Sequence, residues 1–471
     1  MSNIKSLIEK KNDFYIIDVA RKVSQKLDLK IYIVGGYVRD LFIQSTKESD
    51  LDFMVVGDGI RFAEQFKDSL NGSKLVIFPK FGTARFMIKN KTIEIASSRT
   101  EEYELDSRNP KVKKTDLSTD ILRRDFTINT LAVSVNNYDF GQLFDLFNGI
   151  KDINNGLIKT PLDPDKTFSD DPLRMLRAIR FASQLGFKID LKTESSIKSK
   201  VDRLSIVSSE RIVNEFFKIL ESPKPSIGLE LLQKLSIMKV ILPEISSLYG
   251  MEQTPEWHHK DVFYHTLQVV DNISMKTNKI KLRFAALLHD IGKPKTRRLN
   301  QKKGWTFHGH DAVGANMINV LSRRLKLSKE MTEYLKKLTL LHLRPISLAK
   351  DGVTDSAVRR LMVAAGDDVK DLMILCRADI TSKNPNLVKK YLQNFDKVEL
   401  IMNNVKEKDS FKNFQSPIRG IQIMKECKIN EGKIVGLIKK DIENAILDGV
   451  IENNYKSSYD YFLKIKEKYI K

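Results

Sequence analysis

The segment from Ile31 to Val56, IYIVGGYVRDLFIQSTKESDLDFMVV, constrains the fold more than any other part of the chain. An apolar strand-like run ends in Gly35 and Gly36, a short helical stretch follows, and a second strand carries Asp50 and Asp52. Residues two apart on a strand lie on one face, so the two carboxylates are predicted to project together. Like charges at that spacing are unfavourable unless a cation lies between them.

The two glycines predict a phosphate-binding turn. Gly35 and Gly36 let the backbone approach a phosphate closely, and the helix that follows offers unpaired N–H groups at its start. Mg²⁺ suits carboxylate oxygens beside a phosphate, where a pair of such ions activates an attacking oxygen and stabilises a leaving one. Either motif alone is more typical of a plain turn or a solvated strand end, but together they favour nucleotidyl transfer.

The hydrophobic pattern divides the chain of 471 residues, which has room for about two to four domains. Strand-like and helical runs alternate up to about residue 150, and later stretches show helical spacing almost throughout. This predicts an α+β fold class, with a mixed β-sheet and helices over 1–150 and an extended all-α part after it. We place further boundaries in the all-α part to give 151–240, 241–385 and 386–471.

Charge and cysteine content restrict the partners and the compartment. A net charge of +20 favours a polyanionic partner such as nucleic acid or an anionic membrane surface. Two cysteines in apolar helical patterns, Cys376 and Cys427, predict buried thiols in a reducing compartment. Because the sequence has neither a signal-peptide core nor about 18 consecutive apolar residues, we expect a cytoplasmic protein without a membrane span.

Histidines are confined to one part of the chain. All of them lie between positions 258 and 342, which predicts a metal or acid–base centre in the second half. They are His258, His259, His265, His289, His308, His310 and His342.

Three motifs carry a family resemblance. GGYVRD at 35–40, DLD at 50–52 and RRDFTINTLAV at 123–133 resemble the class II branch of the tRNA nucleotidyltransferase and bacterial poly(A) polymerase family. The resemblance implies a five-stranded nucleotidyltransferase palm as head, followed by neck, body and tail. It also implies that Asp50 and Asp52 bind the catalytic Mg²⁺ ions, and that Gly36 and Arg39 contact the incoming nucleotide.

The same resemblance assigns further residues in the head. Arg124 supplies a cation for the triphosphate, and Asp125 and Asn129 are hydrogen-bonding groups near the sugar and phosphates. A third carboxylate often joins the D-x-D pair, and Glu94 in TIEIASSRTE is the candidate. Strand alternation alone leaves open which face Glu94 occupies.

Residues 170–181, DDPLRMLRAIRF, predict a helix with proline in its first turn. Cytosine and adenine share an amino donor beside a ring-nitrogen acceptor, so one carboxylate and one guanidinium accept both and reject guanine and uracil. Asp171 and Arg174 match the family's (E/D)DxxR motif, which is understood to select bases in this way. Arg177 and Arg180 would then hold the helix against nucleotide or tRNA phosphates. The alternative is a plain salt bridge between the first two residues.

Three members of the family fit these motifs: a CCA-adding enzyme, a poly(A) polymerase, and a partial enzyme that adds only C or only A. The polar segment 99–122 resembles the flexible loop of CCA-adding enzymes, which a CC-only enzyme would lack. FGTARF at 81–86 resembles the CCA-adding pattern rather than the GRRF of poly(A) polymerases. We therefore favour template-independent transfer of CMP and AMP from CTP and ATP to the tRNA 3′ end.

The second half resembles another family. DVFYHTLQVV, LLHDIGKPKT and CRADITSKN resemble the HD superfamily of metal-dependent phosphohydrolases. The resemblance implies that His265, His289, Asp290 and Asp379 converge on one divalent ion, whose identity stays open. His308, His310 and His342 complete a second metal site, contact a phosphate, or only form surface hydrogen bonds. His258 and His259 are interpreted as loop residues.

The C-terminal segment, residues 386–471, also indicates a partner. Residues 420–449 resemble the C-terminal helices with which this family cradles the acceptor and T arms of tRNA. The expected partners are therefore tRNA, CTP and ATP. An alternative of another class is an HD phosphohydrolase whose head only binds RNA.

Overall fold

The structure, a computed structural model, describes residues 3–44, 49–102, 111–251, 261–302, 304–350, 354–382, 384–408 and 416–470. The chain forms two compact units, Met1–Pro243 and Glu244–Lys471. No helix within the described residues is long and apolar enough to cross a membrane.

The first unit is built on a mixed β-sheet. Its strands are β1 (Lys30–Val34), β2 (Leu51–Val56), β3 (Val76–Phe78), β4 (Thr83–Ile88), β5 (Lys91–Ser97), β6 (Arg99–Glu102), β7 (Lys111–Lys114), β8 (Ala132–Ser134), β9 (Leu143–Phe144), β10 (Leu157–Ile158) and β11 (Lys188–Ile189). The main sheet has the order β3-β4-β5-β2-β1-β8-β9, and β6–β7 and β10–β11 pair separately. The resemblance implied five strands; the sheet has seven, with the short strands β3 and β9 at its edges.

The strand pairing determines where the acidic residues lie. Strands β2 and β5 run parallel, and their register pairs Asp52 with Glu94, whereas the other pairings in this sheet are antiparallel. Leu51 and Phe53, which alternate with Asp50 and Asp52 along the chain, are almost completely buried. Strand β2 therefore presents its acidic face to the site and its apolar face to the core.

Helices cover the sheet and continue the first unit beyond it. They are α1 (Lys5–Glu9), α2 (Phe14–Leu27), α3 (Gly36–Phe42), α4 (Gly59–Ser69), α5 (Leu117–Leu122), α6 (Gly149–Asn154), α7 (Pro164–Asp170), α8 (Leu173–Leu185), α9 (Leu191–Lys200), α10 (Ser209–Leu220), α11 (Pro225–Lys234) and α12 (Ile237–Ile241). Asp58 starts α4 by accepting hydrogen bonds from two backbone N–H groups. Phe66 on α4 packs edge-on against Phe53 and Phe86, which fixes α4 on the sheet.

Helix α8 confirms the helix predicted within 170–181, but it begins at Leu173 with Pro172 at its N-cap, and Asp170 is the last residue of α7. Its buried face includes Met175, Leu176 and Ile179, and it ends at Gly186, whose positive φ of 70° suits glycine. Helix α8 packs against α10 and α11, and Phe181 contacts Phe126 of the sheet domain edge-on. These contacts hold the polar side of α8 towards the carboxylates of β2 and β5.

Where the structure describes it, the second unit is helical, as predicted, apart from one short hairpin. Its elements are α13 (Pro243–Ser246), which begins at the last residue of the first unit, α14 (Val262–Ser274), α15 (Ile280–Leu288), α16 (Lys293–Thr296), β12 (Arg298–Asn300), β13 (Gly304–Thr306), α17 (His310–Arg324), α18 (Lys329–Leu341), α19 (Leu343–Lys350), α20 (Asp355–Ala365), α21 (Val369–Ala378), α22 (Pro385–Lys408), α23 (Gly420–Cys427), α24 (Lys433–Leu447) and α25 (Tyr455–Ile465). Cys376 and Cys427 are free and buried, as their apolar surroundings in the sequence predicted.

Candidate active sites

A cleft of about 760 Å³ in the first unit, called the nucleotide cleft below, brings the predicted head and neck residues together. All of the following line it: Gly35, Gly36, Arg39, Asp50, Asp52, Glu94, Arg124, Asp125, Asn129, Asp171, Arg174, Arg177 and Arg180. Residues from the sheet, from the RRD segment and from α8 therefore share one site.

Three carboxylates form one end of the nucleotide cleft. Asp52 and Glu94 are paired across β2 and β5, which answers the question of the face that Glu94 occupies. Asp50 precedes β2, and its Oδ1 accepts a hydrogen bond from the backbone N–H of Thr92 at 3.1 Å. These oxygens are the donor type that Mg²⁺ prefers.

The pKa of Asp52 indicates whether a cation suits the carboxylate cluster. Burial, together with the charges of Glu94 and Asp50, raises the pKa of Asp52 to about 7, although Arg124 opposes the shift. A carboxylate with a raised pKa needs a positive charge beside it in order to ionise fully. The three carboxylates therefore fit a divalent cation.

Gly35 is required at the start of α3. Its φ is +75°, and an added Cβ would lie 3.3 Å from Nη1 of Arg124 and 3.6 Å from Oδ2 of Asp52. Glycine thus permits both the backbone conformation and the close approach of these two charged side chains.

Asp120, which was not predicted as a site residue, holds the two arginines of the RRD segment. Asp120 is 1% exposed; its Oδ1 lies 2.7 Å from Nη2 of Arg123, and its Oδ2 lies 3.3 Å from Nη2 of Arg124. Although burial raises the pKa of Asp120, the two arginines lower it below its usual value. Its position three and four residues before the arginines, in a helical stretch, was the available signal.

Asp125 anchors a chain of polar contacts along the cleft wall. Its Oδ2 accepts a hydrogen bond from Nε of Arg177 at 2.7 Å, and its Oδ1 accepts one from Nδ2 of Asn129 at 3.0 Å. Oδ1 of Asn129 accepts in turn from Nη1 of Arg39 at 3.0 Å. Against the effect of burial, Arg177 and Asn129 lower the pKa of Asp125 to about 2, so the carboxylate stays charged and orders these donors.

The proposed base-reading pair lies at the start of α8, and its two members contact different groups. Oδ2 of Asp171 lies 3.5 Å from Nη2 of Arg211, and Nη2 of Arg174 donates to the backbone carbonyl of Arg123 at 2.7 Å. Among the described residues, Asp171 and Arg174 do not form the salt bridge that the alternative interpretation required. Arg211 on α10 was not predicted as a site residue.

Arg177 and Arg180 are bound to carboxylates of the protein itself. Nη2 of Arg177 lies 2.6 Å from Oδ2 of Asp125. Nη1 of Arg180 lies 3.0 Å from Oε2 of Glu215, a buried residue of α10 that the sequence analysis missed. Their contact with phosphates stays a prediction, while these ion pairs explain how α8 is held in place.

A second cluster, called the histidine–aspartate centre below, lies in the second unit. The ligand atoms of His265, His289 and Asp379 lie within 4.8 Å of one another, on α14 and at the ends of α15 and α21. Nε2 of His265 lies 2.9 Å from Oδ1 of Asp379, and Nε2 of His289 lies 3.1 Å from Oδ2 of Asp290. All four residues predicted for the HD site therefore come together.

Two further histidines join this centre. Asp290, His310 and His342 form a second group of ligand atoms within 4.8 Å, and Oδ1 of Asp290 lies 3.3 Å from Nε2 of His310. Asp290 thus contacts both groups, with Oδ2 near His289 and Oδ1 near His310. His308 is exposed and belongs to neither group. His258 and His259 lie outside the described residues.

The ring orientations fit metal binding. Nδ1 of His289, His310 and His342 each lies close to the carbonyl oxygen of the residue three positions earlier, at 2.6, 2.7 and 2.6 Å. A carbonyl only accepts, so each Nδ1 donates its proton there and each Nε2 faces the centre. Nδ1 of His265 lies 2.8 Å from Oγ1 of Thr381, a further contact that the sequence analysis missed.

The charge balance of the centre also favours a cation. Burial lowers the pKa of His289, but Asp290 and Asp379 outweigh it and raise the value to about 10. Burial and the charge of His289 lower the pKa of His342 to about 4, so this imidazole is neutral near pH 7. Imidazole and carboxylate donors in this arrangement fit a divalent transition metal.

Family comparisons cover most of the chain. Residues 31–159 match the family described as the poly A polymerase head domain. Residues 186–248 match the probable RNA and SrmB-binding site of polymerase A, and residues 262–384 match the HD domain.

Two curated relatives have similar sequences. The multifunctional CCA protein of Shewanella frigidimarina is 33% identical over 312 residues, which is 64% of this chain and 71% of that protein. The A-adding tRNA nucleotidyltransferase of Aquifex aeolicus is 36% identical over 239 residues, 49% of this chain. The chain matches 28% of the length of the Aquifex protein.

Solved structures share the fold. The Thermotoga maritima CCA-adding enzyme complexed with tRNA has a TM-score of 0.60 at 22% identity, covering 98% of both chains. A CCA-adding enzyme in complex with ATP has a TM-score of 0.64 at 23% identity, covering 100% of this chain and 99% of that one.

Fold and comparisons together define a nucleotidyltransferase that also carries an HD domain. The chain belongs to the tRNA nucleotidyltransferase and bacterial poly(A) polymerase family, in its class II branch.

Asp52→Asn is expected to stabilise the metal-free protein at about pH 8 by about 1–2 kcal/mol, a value reduced for solvent screening. The folded protein holds an extra proton between the unfolded pKa of about 4 and the folded pKa of about 7, so its stability falls as the pH rises through this window. Urea unfolding in the presence of a chelator measures the difference, which should almost vanish near pH 4.

The control for this measurement is Asp68→Asn, because the Asp68 side chain is 72% exposed. It should change stability little at either pH. A loss of stability in Asp52→Asn at pH 8 would contradict the electrostatic account of the carboxylate cluster.

Proposed function

We propose that the first unit transfers CMP and then AMP from CTP and ATP to the 3′ end of tRNA, without a nucleic-acid template. The observation that carries this proposal is the cluster of Asp50, Asp52 and Glu94 at one end of a cleft whose other walls carry arginines. The name of the Aquifex relative, an A-adding tRNA nucleotidyltransferase, supports tRNA as the substrate.

In the proposed reaction, the 3′-hydroxyl of tRNA attacks the α-phosphate of the nucleotide and pyrophosphate leaves. Asp50, Asp52 and Glu94 would hold Mg²⁺, which supplies positive charge to the attacking and leaving oxygens. Gly35 and Gly36 leave space for the triphosphate, and Arg124, held by Asp120, offsets its negative charge.

The wall opposite the carboxylates would hold the rest of the nucleotide. One hydrogen-bonded chain joins Arg39, Asn129 and Asp125. This chain would orient the sugar and the phosphates of the nucleotide. Asp171 and Arg174 are not paired with each other, so each has hydrogen-bonding capacity for a base edge. A carboxylate and a guanidinium at these positions would accept cytosine or adenine.

A poly(A) polymerase or a partial CC- or A-adding enzyme would use the same site. We favour complete CCA addition because FGTARF and the segment 99–122 resemble CCA-adding sequences. Of that segment, β6 and β7 form an antiparallel ladder, and residues 103–110 lie outside the described residues. The Aquifex relative is named an A-adding enzyme, so addition of adenosine alone is the alternative activity.

Further assignments complete this proposal. We assign residues 1–150 to the head, 151–240 to the neck, 241–385 to the HD body and 386–471 to a tRNA-binding tail. A cytoplasmic location would give the protein access to its tRNA substrate.

Asp52→Ala is expected to lower the rate of nucleotide incorporation by at least about a thousandfold, because it removes a central carboxylate of the cluster. The assay supplies unlabelled tRNA that lacks CCA with radioactive CTP alone, and then with both CTP and ATP. Wild type should add two cytidines and then one adenosine. Asp68→Ala serves as the exposed control, and long adenosine tails from ATP alone would instead indicate a poly(A) polymerase.

Asp171→Ala is expected to keep transfer but to lose base selection, with incorporation of GMP or UMP rising at least about tenfold relative to CMP. The reason is that Asp171 contributes the acceptor that distinguishes an amino group from a carbonyl oxygen. Competition between labelled nucleotides at equal concentration measures the ratio. A variant that is slow but still selective for CMP and AMP would refute this role.

A second candidate function is metal-dependent phosphohydrolysis at the histidine–aspartate centre. The observation that favours it is a set of four buried imidazoles with the buried carboxylate of Asp290 and the partly buried carboxylate of Asp379, in which every Nε2 is directed inward. Lys293 lies beside this set, with its Nζ 2.6 Å from Oδ2 of Asp290, and its ammonium group would contact a phosphate oxygen of a bound ester. A divalent ion held here would supply an activated water.

His289→Ala is expected to abolish hydrolysis of phosphate esters and to leave nucleotide transfer intact, because the two centres lie in separate units. The screen uses p-nitrophenyl phosphate and its bis-ester with Ni²⁺, Co²⁺, Mn²⁺ or Mg²⁺ after chelation. Asp52→Ala should show the opposite pattern, and exposed His308→Ala should retain both activities. Equal hydrolysis by His289→Ala and wild type would remove this function.

A further inference from the structure

A second cleft of about 460 Å³ lies beside the nucleotide cleft in the first unit. We call it the lysine cleft; Lys11, Tyr15, Tyr37, Ser49, Lys89 and Lys91 are among its lining residues. Tyr37, Ser49 and Asp40 line both clefts, so the two share a wall. Its volume is in the usual range for binding sites of small ligands.

The floor of the lysine cleft is built from buried polar groups. Asp13 is 9% exposed; its Oδ1 accepts a hydrogen bond from the hydroxyl of Tyr37 at 2.9 Å, and its Oδ2 pairs with Nζ of Lys91. The charge of Lys91 is therefore already neutralised, and the floor is held rigidly. A ligand would meet this floor but would be bound electrostatically by other groups.

The rim of the lysine cleft is positive. Lys11 and Lys89 are both exposed, and neither has a carboxylate partner among the described residues. Lys89 has a φ of 52° in the turn between β4 and β5, which places it at the tip of that hairpin. Tyr15, which is 46% exposed, adds an aromatic ring to the rim. Lysines that contact phosphates, together with an aromatic ring on which a base can stack, are typical of sites for single-stranded nucleic acid.

The lysine cleft is also joined to the carboxylate cluster through the chain. Lys91 begins β5, the next residue, Thr92, donates its N–H to Asp50, and Glu94 follows on the same strand. On the shared wall, Ser49 donates to Asp40, which also binds the guanidinium of Arg39. A strand of RNA in the lysine cleft would therefore lie beside the nucleotide cleft.

We propose that the lysine cleft binds the single-stranded 3′ end of the RNA substrate, with Lys11 and Lys89 on its phosphodiesters and Tyr15 against a base. The assignment of this RNA as tRNA rests on the proposed function. Pyrophosphate leaving the nucleotide cleft has the same phosphate chemistry, so the test separates a polynucleotide from pyrophosphate.

The test compares the double variant Lys11→Gln, Lys89→Gln with a matched control, Lys26→Gln, Lys188→Gln, which alters two other exposed lysines of the same unit. We expect the double variant to raise the KM for tRNA lacking CCA about five- to tenfold, and to leave the KM for CTP and kcat unchanged. The slope of log KM for tRNA against log salt concentration should fall by about 1.4, because two phosphate contacts to a single strand are lost. The control should match wild type. An increase confined to the KM for pyrophosphate in the reverse reaction would overturn the proposal.

A binding measurement makes the result independent of the transfer reaction. Fluorescence anisotropy of a labelled RNA hairpin with a single-stranded 3′ end, in the presence of chelator and without nucleotides, should show about fivefold weaker binding by the double variant. This difference would support the lysine cleft even if wild type transferred no nucleotide and the proposed function failed. Equal affinity and equal salt dependence for variant and wild type would overturn the proposal while leaving transfer activity in place. Tyr15→Ala, an exposed substitution, should weaken binding of the same hairpin about threefold or more.

Discussion

The parallel pairing of β2 with β5 is the constraint on which the first unit's site depends. Its register sets Asp52 beside Glu94, and the N–H of Thr92 holds Asp50, so that three carboxylates share one end of a cleft. Burial, together with the charges of Glu94 and Asp50, raises the pKa of Asp52, so the fold holds these carboxylates together at a cost in stability. The buried aromatic side of the same strand, with Phe53 against α4, provides the packing that offsets this cost.

Arginine–carboxylate pairs connect this cluster to the helices that follow it. Asp125 holds Arg177 on α8, and Glu215 on α10 holds Arg180, so the orientation of α8 depends on charges contributed by two other segments. Buried ion pairs of this kind contribute little net stability, but removing one partner leaves an unpaired buried charge. They are therefore well suited to fix one orientation of α8 relative to the carboxylates.

The two candidate centres differ in their donor atoms, and this difference separates their chemistry. Carboxylate oxygens alone, in an open cleft with arginines, suit Mg²⁺ and a nucleoside triphosphate. The imidazoles of the histidine–aspartate centre are buried, and backbone carbonyls fix the rings of His289, His310 and His342 so that each Nε2 points inward. Such preorganised imidazoles suit a transition metal, so the two centres differ in the kind of cation that their donor atoms favour.

The sequence by itself determined the elements and the motifs, because hydrophobic periodicity and residue spacing act over a few residues. It placed β1, β2 and α8 correctly, and the residues it selected line the nucleotide cleft. Only the tertiary structure showed that Arg211 approaches Asp171 and that Glu215 pairs with Arg180, since the partners lie 40 and 35 residues apart on different helices. It also decided which face Glu94 occupies, because strand register depends on the packing of β5 against β2 and not on the local alternation.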